Sequence, residues 1–94
     1  MVSDLNEDNA AQEFLEFVVK QIVEFPDDVI VSQTVDSMGV LLTLKVNNSD
    51  MGKIIGKAGQ TAKSLRILLR MIGSKKDARY NLKILEPEET AQSF

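Results

Sequence analysis

Gly56-Lys57-Ala58-Gly59 is the stretch of this chain whose residue types and spacing best suit chemistry. Only glycine turns the backbone this sharply without a Cβ clash, and only glycine lets a ligand touch the main chain itself. A cation, Lys57, stands between the two glycines, and a helical pattern begins directly after them. The N–H groups that open a helix have no intrahelical partners and lie at the positive end of its dipole. Phosphate suits such a loop. Nucleotide-hydrolysing enzymes also hold phosphate on glycine, but their loop needs G-x-x-x-x-G-K-[ST] with a hydroxyl for Mg²⁺. Here Gly59 is followed by Gln60-Thr61, no strand pattern leads in, and no carboxylate pair lies beside the loop. The residues favour binding over catalysis, with no cofactor.

Composition narrows the chemistry further. The chain has no cysteine and no histidine, so disulfides, thiolate or imidazole metal sites and Cys/His nucleophiles are excluded. No apolar run approaches the roughly 20 residues of a membrane span. The acidic start is unlike a signal peptide, so a cytoplasmic location is the expectation, with no membrane insertion and no small-molecule substrate. The net charge of −3 conceals a strong segregation. Residues 1–50 sum to −8, residues 51–85 to +8, and residues 86–94 to −3. The cations begin where the glycine loop begins, which makes a local positive field despite an acidic whole.

Residues 1–8 read as a disordered acidic lead, residues 9–86 as one domain, and residues 87–94 as a flexible acidic tail. Asn9 with Gln12 resembles a capping box, and Phe14, Leu15, Val18, Ile22 and Phe25 then recur at helical spacing. Pro26 ends that helix. Val29, Val31 and Val35 alternate with Ser32 and Thr34, and Asp36-Ser37-Met38-Gly39 is a turn. Val40, Leu42, Leu44 and Val46 alternate with Thr43 and Lys45, completing an antiparallel hairpin. Asn47-Asn48-Ser49-Asp50 offers N-caps for a short helix through Ile55. A helix over 60–72 follows the loop and stops at Gly73, a natural residue for a helix C-terminus. Residues 74–77 read as a polar loop. Tyr80, Leu82 and Ile84 alternate with Arg79, Asn81 and Lys83 as a last strand, parallel to the second. The expectation is an α+β domain of order α-β-β-α-loop-α-β, with a three-stranded mixed sheet and three helices on one face.

These residues resemble a KH domain. The apolar pair Ile54-Ile55, the loop Gly56-Lys57-Ala58-Gly59, and Ala62 with Leu65 in the next helix stand where the KH signature has them. An extra helix and strand before the core resemble the prokaryotic, type II arrangement. One such domain with little else resembles the small bacterial RNA-binding proteins of the KhpA-like kind. The resemblance implies that single-stranded RNA is clamped along the loop over about four nucleotides, as in post-transcriptional regulation or RNA chaperoning. The implied RNA residues are Lys53, Ile54, Ile55, Gly56, Lys57, Ala58, Gly59, Gln60, Lys63, Arg66 and Arg70. With no Trp and a single Tyr, Tyr80, on the core side of a strand, stacking contributes little and low sequence specificity is expected. Single-stranded DNA is an alternative ligand.

At about 100° per residue the helix after the loop has three faces. Ala62, Leu65, Leu68, Leu69 and Ile72 share the side expected in the core. Lys63, Arg66 and Arg70 form a cationic stripe continuing from Lys53 and Lys57. Gln60, Ser64, Ile67 and Met71 lie on the third side, where an apolar pair one turn apart suggests an interface. The KhpA-like resemblance implies self-pairing through such a face, or pairing with a larger KH-containing protein. Two alternatives stay open: a pure protein-interaction module with a vestigial loop, and cover of this stripe by the tail through Phe94.

Overall fold

The alternating runs do form a hairpin, and the last strand does add to it in parallel. A computed structural model describes residues 2–85, with side chains from Asn9 onward. The elements are α1 (Val2–Ile22), β1 (Ile30–Asp36), β2 (Gly39–Lys45), α2 (Met51–Ile55), α3 (Gln60–Lys76) and β3 (Tyr80–Ile84). Single 3-10 turns stand at Pro26–Asp28, Asn48–Asp50 and Lys57–Gly59. β1 pairs antiparallel with β2 from Ile30↔Lys45 to Asp36↔Gly39, and β2 pairs parallel with β3 from Val40↔Tyr80 to Leu44↔Ile84. β2 is therefore central and β3 an edge. Val31, Leu42, Leu44 and Leu82 face the three helices, in one core with Leu15, Val19, Ile54, Leu65 and Leu69. Ser32, Thr34, Lys45, Asn81 and Lys83 are exposed, at the alternate strand positions. The architecture is the α+β arrangement expected.

Several details differ from the expectation. α1 begins at Val2, so residues 2–8 continue the helix instead of forming a disordered lead. Asn9 lies inside it and caps nothing. The buried stripe of α1 is Ala11, Leu15 and Val19, continued by Val23 just past the helix, a strict every-fourth-residue row. Phe14 and Val18 flank that row half-buried, while Ile22 and Phe25 are exposed. Val35 is exposed because β1 runs on past the helices into the hairpin end. Leu68 is 38% exposed and leaves the core set, while Ala62, Leu65 and Leu69 are buried and Ile72 packs against the core.

Gly73 does not end the last helix. α3 continues through residues 74–76 and stops where Asp77 turns left-handed, at φ 58° and ψ 42°, a conformation Asp tolerates. Gly73 is buried inside the helix because a Cβ there would lie 2.5 Å from the Ala78 carbonyl oxygen and 3.1 Å from Tyr80 Cδ2. Its carbonyl accepts from the Ala78 N–H at 2.8 Å. Glycine serves close packing here. The acidic tail, including Phe94, lies outside the described residues.

Candidate nucleic-acid interface

α2 is a five-residue helix aimed at the loop. Ile54 is its anchor, with no exposed surface, and Met51 packs beside it. At Gly56 the backbone takes φ 76° and ψ 171°, a region open essentially to glycine alone. A Cβ at Gly56 would also strike Thr61, whose backbone N would be 2.7 Å away. Gly59 is different. It is left-handed at φ 73° and ψ 16°, but a Cβ there would meet nothing within 4 Å. Between them Ala58 is left-handed too, at φ 57° and ψ 29°, which costs an ordinary residue about 1 kcal/mol. The loop is pinned by the Gly56 N–H donating to the Gly52 carbonyl at 2.8 Å and the Gly59 N–H donating to the Gly56 carbonyl at 3.2 Å. Lys57 and Ala58 are left exposed at its tip. No side chain caps the start of α3, and the Gln60 N–H donates to the Lys57 carbonyl.

Beside α3 runs a groove of about 450 Å³. Arg66, Arg70 and Ser74 line it from α3, while Arg79, Tyr80, Asn81 and Leu82 line it from β3 and the approach to it. Arg66 reaches across, with Nη2 donating to the Leu82 carbonyl at 3.4 Å. Three guanidinium groups thus border one cleft, suited to a polyanion. The β3 residues were not among those singled out from sequence. Their signal was topological: a parallel β2–α3–β3 unit lays its helix over the strand it leads to. Tyr80 packs on the core and also lines the groove.

The candidate residues divide in space. Gly56, Lys57, Ala58, Gly59, Gln60, Lys63, Arg66 and Arg70 lie on the loop and on α3, and apart from the half-buried glycines all are exposed. Ile55 is half-buried. Ile54 and Leu65 belong to the core and present no surface to a base. Lys53 is turned away, with Nζ 3.6 Å from Glu24 Oε1 and 3.6 Å from Asp50 Oδ1. Gln60, Ser64, Ile67 and Met71 are all exposed. Leu68 joins them, giving an apolar strip with Ile67 44% and Met71 63% exposed.

Asp50 is the residue that sequence reasoning undervalued. It was one of several possible caps for α2. Asn47 instead caps the turn that precedes α2, accepting from the Ser49 N–H at 2.7 Å. Asp50 is fully buried and accepts from the backbone N–H groups of Glu24 at 2.9 Å and Phe25 at 3.0 Å. Burial alone would raise its pKa. The two N–H donors and the nearby Lys53 ammonium outweigh that and hold the carboxyl below its ordinary range.

A KH-domain model described as KhpA/KhpB matches residues 12–84, spanning both the loop and the groove. The chain belongs to the KhpA/KhpB KH-domain family. Among its relatives is the RNA-binding protein KhpA of Listeria monocytogenes, 36% identical over 75 residues, covering 80% of this chain and 99% of that protein. KhpA of Chlamydia pneumoniae is also 36% identical over 75 residues, covering 80% of this chain and 96% of its own. KhpA of Clostridium acetobutylicum is 36% identical over 74 residues, covering 79% and 99%. No solved structure matches the chain significantly. Among the described residues of this KH domain, no helix is long and apolar enough to cross a membrane.

Proposed function

We propose that this protein binds single-stranded RNA, with the sugar–phosphate backbone held on Gly56–Gly59 and the strand continuing past Lys63 into the groove bordered by Arg66, Arg70 and Arg79. The observation that carries this reading is the loop itself. Two glycines and a left-handed Ala58 strip side-chain bulk from a turn that presents an exposed Lys57 at the start of α3. That is a phosphate seat without catalytic groups around it. Contacts to main-chain amides and mobile cations read the backbone more than the bases, so sequence preference is low. Such binding suits an RNA chaperone or a post-transcriptional regulator. The names of the KhpA relatives support the ligand class. The exposed Ile67, Leu68 and Met71 support a second feature, pairing of two copies through α3 or with a larger KH-containing protein.

The test is a double substitution, Lys57→Asp with Ala58→Asp, in the full chain. Both side chains are exposed, and Asp accepts left-handed backbone better than Ala does, so the fold is retained. Two carboxylates where phosphate must lie lower RNA affinity by about 100-fold or more, as loss of charge-assisted contacts of about 1.5–3 kcal/mol each requires. A folded variant with an unchanged dissociation constant removes the loop as the RNA site. Competition by a matched DNA oligonucleotide reports whether the 2′-hydroxyl is read.

A further inference from the structure

α2 is too short to hold its own direction. Its five residues make about one and a half turns, and isolated helices under about 12 residues are marginal in water. Whatever touches α2 must therefore aim it, and its last residue leads directly into Gly56. On one side Ile54 is buried in the core. On the other, the segment entering α2 is stitched to the turn that follows α1. Asp50 takes the N–H groups of Glu24 and Phe25, and Asn47 Nδ2 donates to Asp28 Oδ2 at 2.8 Å. Lys53 spans the same seam from Asp50 to Glu24. Asp50 is the buried charged residue of the described chain, and both of its oxygens are used.

We propose that Asp50, assisted by Lys53, is a positioning residue for RNA binding. It locks the start of α2 to the end of α1 and thereby sets where Gly56–Gly59 lies relative to the α3–β3 groove. The inference rests on the RNA-binding reading above. It also reassigns Lys53, which acts on the loop through Asp50 and Glu24 and not as a phosphate ligand. Asp50→Asn is the sharp perturbation. The amide keeps the shape but has one acceptor oxygen, so one of the two N–H groups is left facing an NH₂ donor. A buried donor without an acceptor is expensive, and the seam loosens.

The experiment compares wild type, Asp50→Asn and Lys53→Met as full chains, at a temperature where circular dichroism shows each fully folded. Three quantities are read: amide hydrogen exchange at residues 56–60 without RNA, affinity for a short single-stranded oligoribonucleotide, and the salt dependence of that affinity. Asp50→Asn speeds exchange at Gly56 and Gly59, whose amides are hydrogen-bonded in the closed loop. It weakens binding about fivefold, the low end of coupling between sites, and leaves the salt slope unchanged. Lys53→Met does the same to a smaller degree. A mere loss of global stability speeds exchange at core-strand amides such as Leu42 and Leu44 as well, so the reading is the change at Gly56 and Gly59 beyond that common shift. Unchanged loop exchange in folded Asp50→Asn overturns the proposal. A slope flattened by about 0.7 in Lys53→Met also overturns it, since that is the loss of one direct phosphate contact. Should Asp50→Asn not fold, Lys53→Met decides by the same readings. Should the wild type bind no RNA, the RNA-binding reading fails, and loop exchange alone decides whether Asp50 positions the loop.

Discussion

The two exposed sides of α3 share a helix and differ in almost everything else. Toward β3 the helix carries Arg66 and Arg70, closes tightly on the strand at Gly73, and walls a cleft. Away from it the helix carries Ser64, Ile67, Leu68 and Met71, with no element of the described chain over Ile67 and Met71. The first side is concave and cationic, which suits a flexible polyanion. The second is convex and apolar, which suits another protein surface. One helix can serve both because residues three and four apart share a face, as Arg66 and Arg70 do on one side and Ser64, Ile67 and Met71 on the other. A dimer through the apolar side leaves the groove open, since Arg66 and Arg70 point to the β3 side.

The largest effect expected from breaking this comparison is on the apolar side. Ile67→Asp converts a dimer to a folded monomer by light scattering at micromolar concentration, while affinity per groove for a short RNA stays unchanged. Burying Ile67, Leu68 and Met71 from each subunit is worth several kcal/mol at about 25 cal/mol per Å², before the cost of association. A mutant that stays dimeric places the contact elsewhere, and a monomeric wild type assigns this strip to a different partner.

Next comes the closure of the groove side. Gly73→Ala gains about 1 kcal/mol in intrinsic helix preference. It also pushes a methyl against a backbone oxygen, which cannot swing aside as a side-chain tip can. Overpacking of this kind costs about 1–3 kcal/mol. The net outcome is a lower melting temperature in thermal unfolding, and a rise would show that α3 and β3 are less tightly apposed than described. The smallest effect belongs to the groove cations taken singly. Arg66→Ala and Arg70→Ala each flatten the plot of log affinity against log salt by about 0.7, with sequence preference unchanged. Ile67→Asp leaves that slope alone, so the two sides separate in one pair of measurements.

How much of this was legible in advance depended on the range of the interaction. The β2 alternation was read correctly because period-two patterning is local. The sharp turn at Gly56 was legible for the same reason, since a Cβ-free residue between two helical patterns has few other uses. The face of α1 differs from the apolar spacing because Phe14, Ile22 and Phe25 are more hydrophobic than Ala11, yet only the packed fold shows that Ala11 is buried while Ile22 and Phe25 are exposed. Gly73 was misread as a stop because a packing glycine and a terminating glycine look alike in one dimension. Arg79 and Asn81 escaped as groove residues because their strand faces α3 only once the sheet is assembled.

Residue order by itself determined the element sequence, the hairpin, the glycine loop and the segregation of charge, because each follows from backbone sterics or short-range periodicity. Only the tertiary structure decided that Ile54 is an anchor, that Lys53 pairs with Glu24 and Asp50, and that Asp50 joins segments 25 and 26 residues apart. A carboxylate's environment is made by groups that the chain brings together from a distance. The sequence names the groups, but folding decides which of them meet.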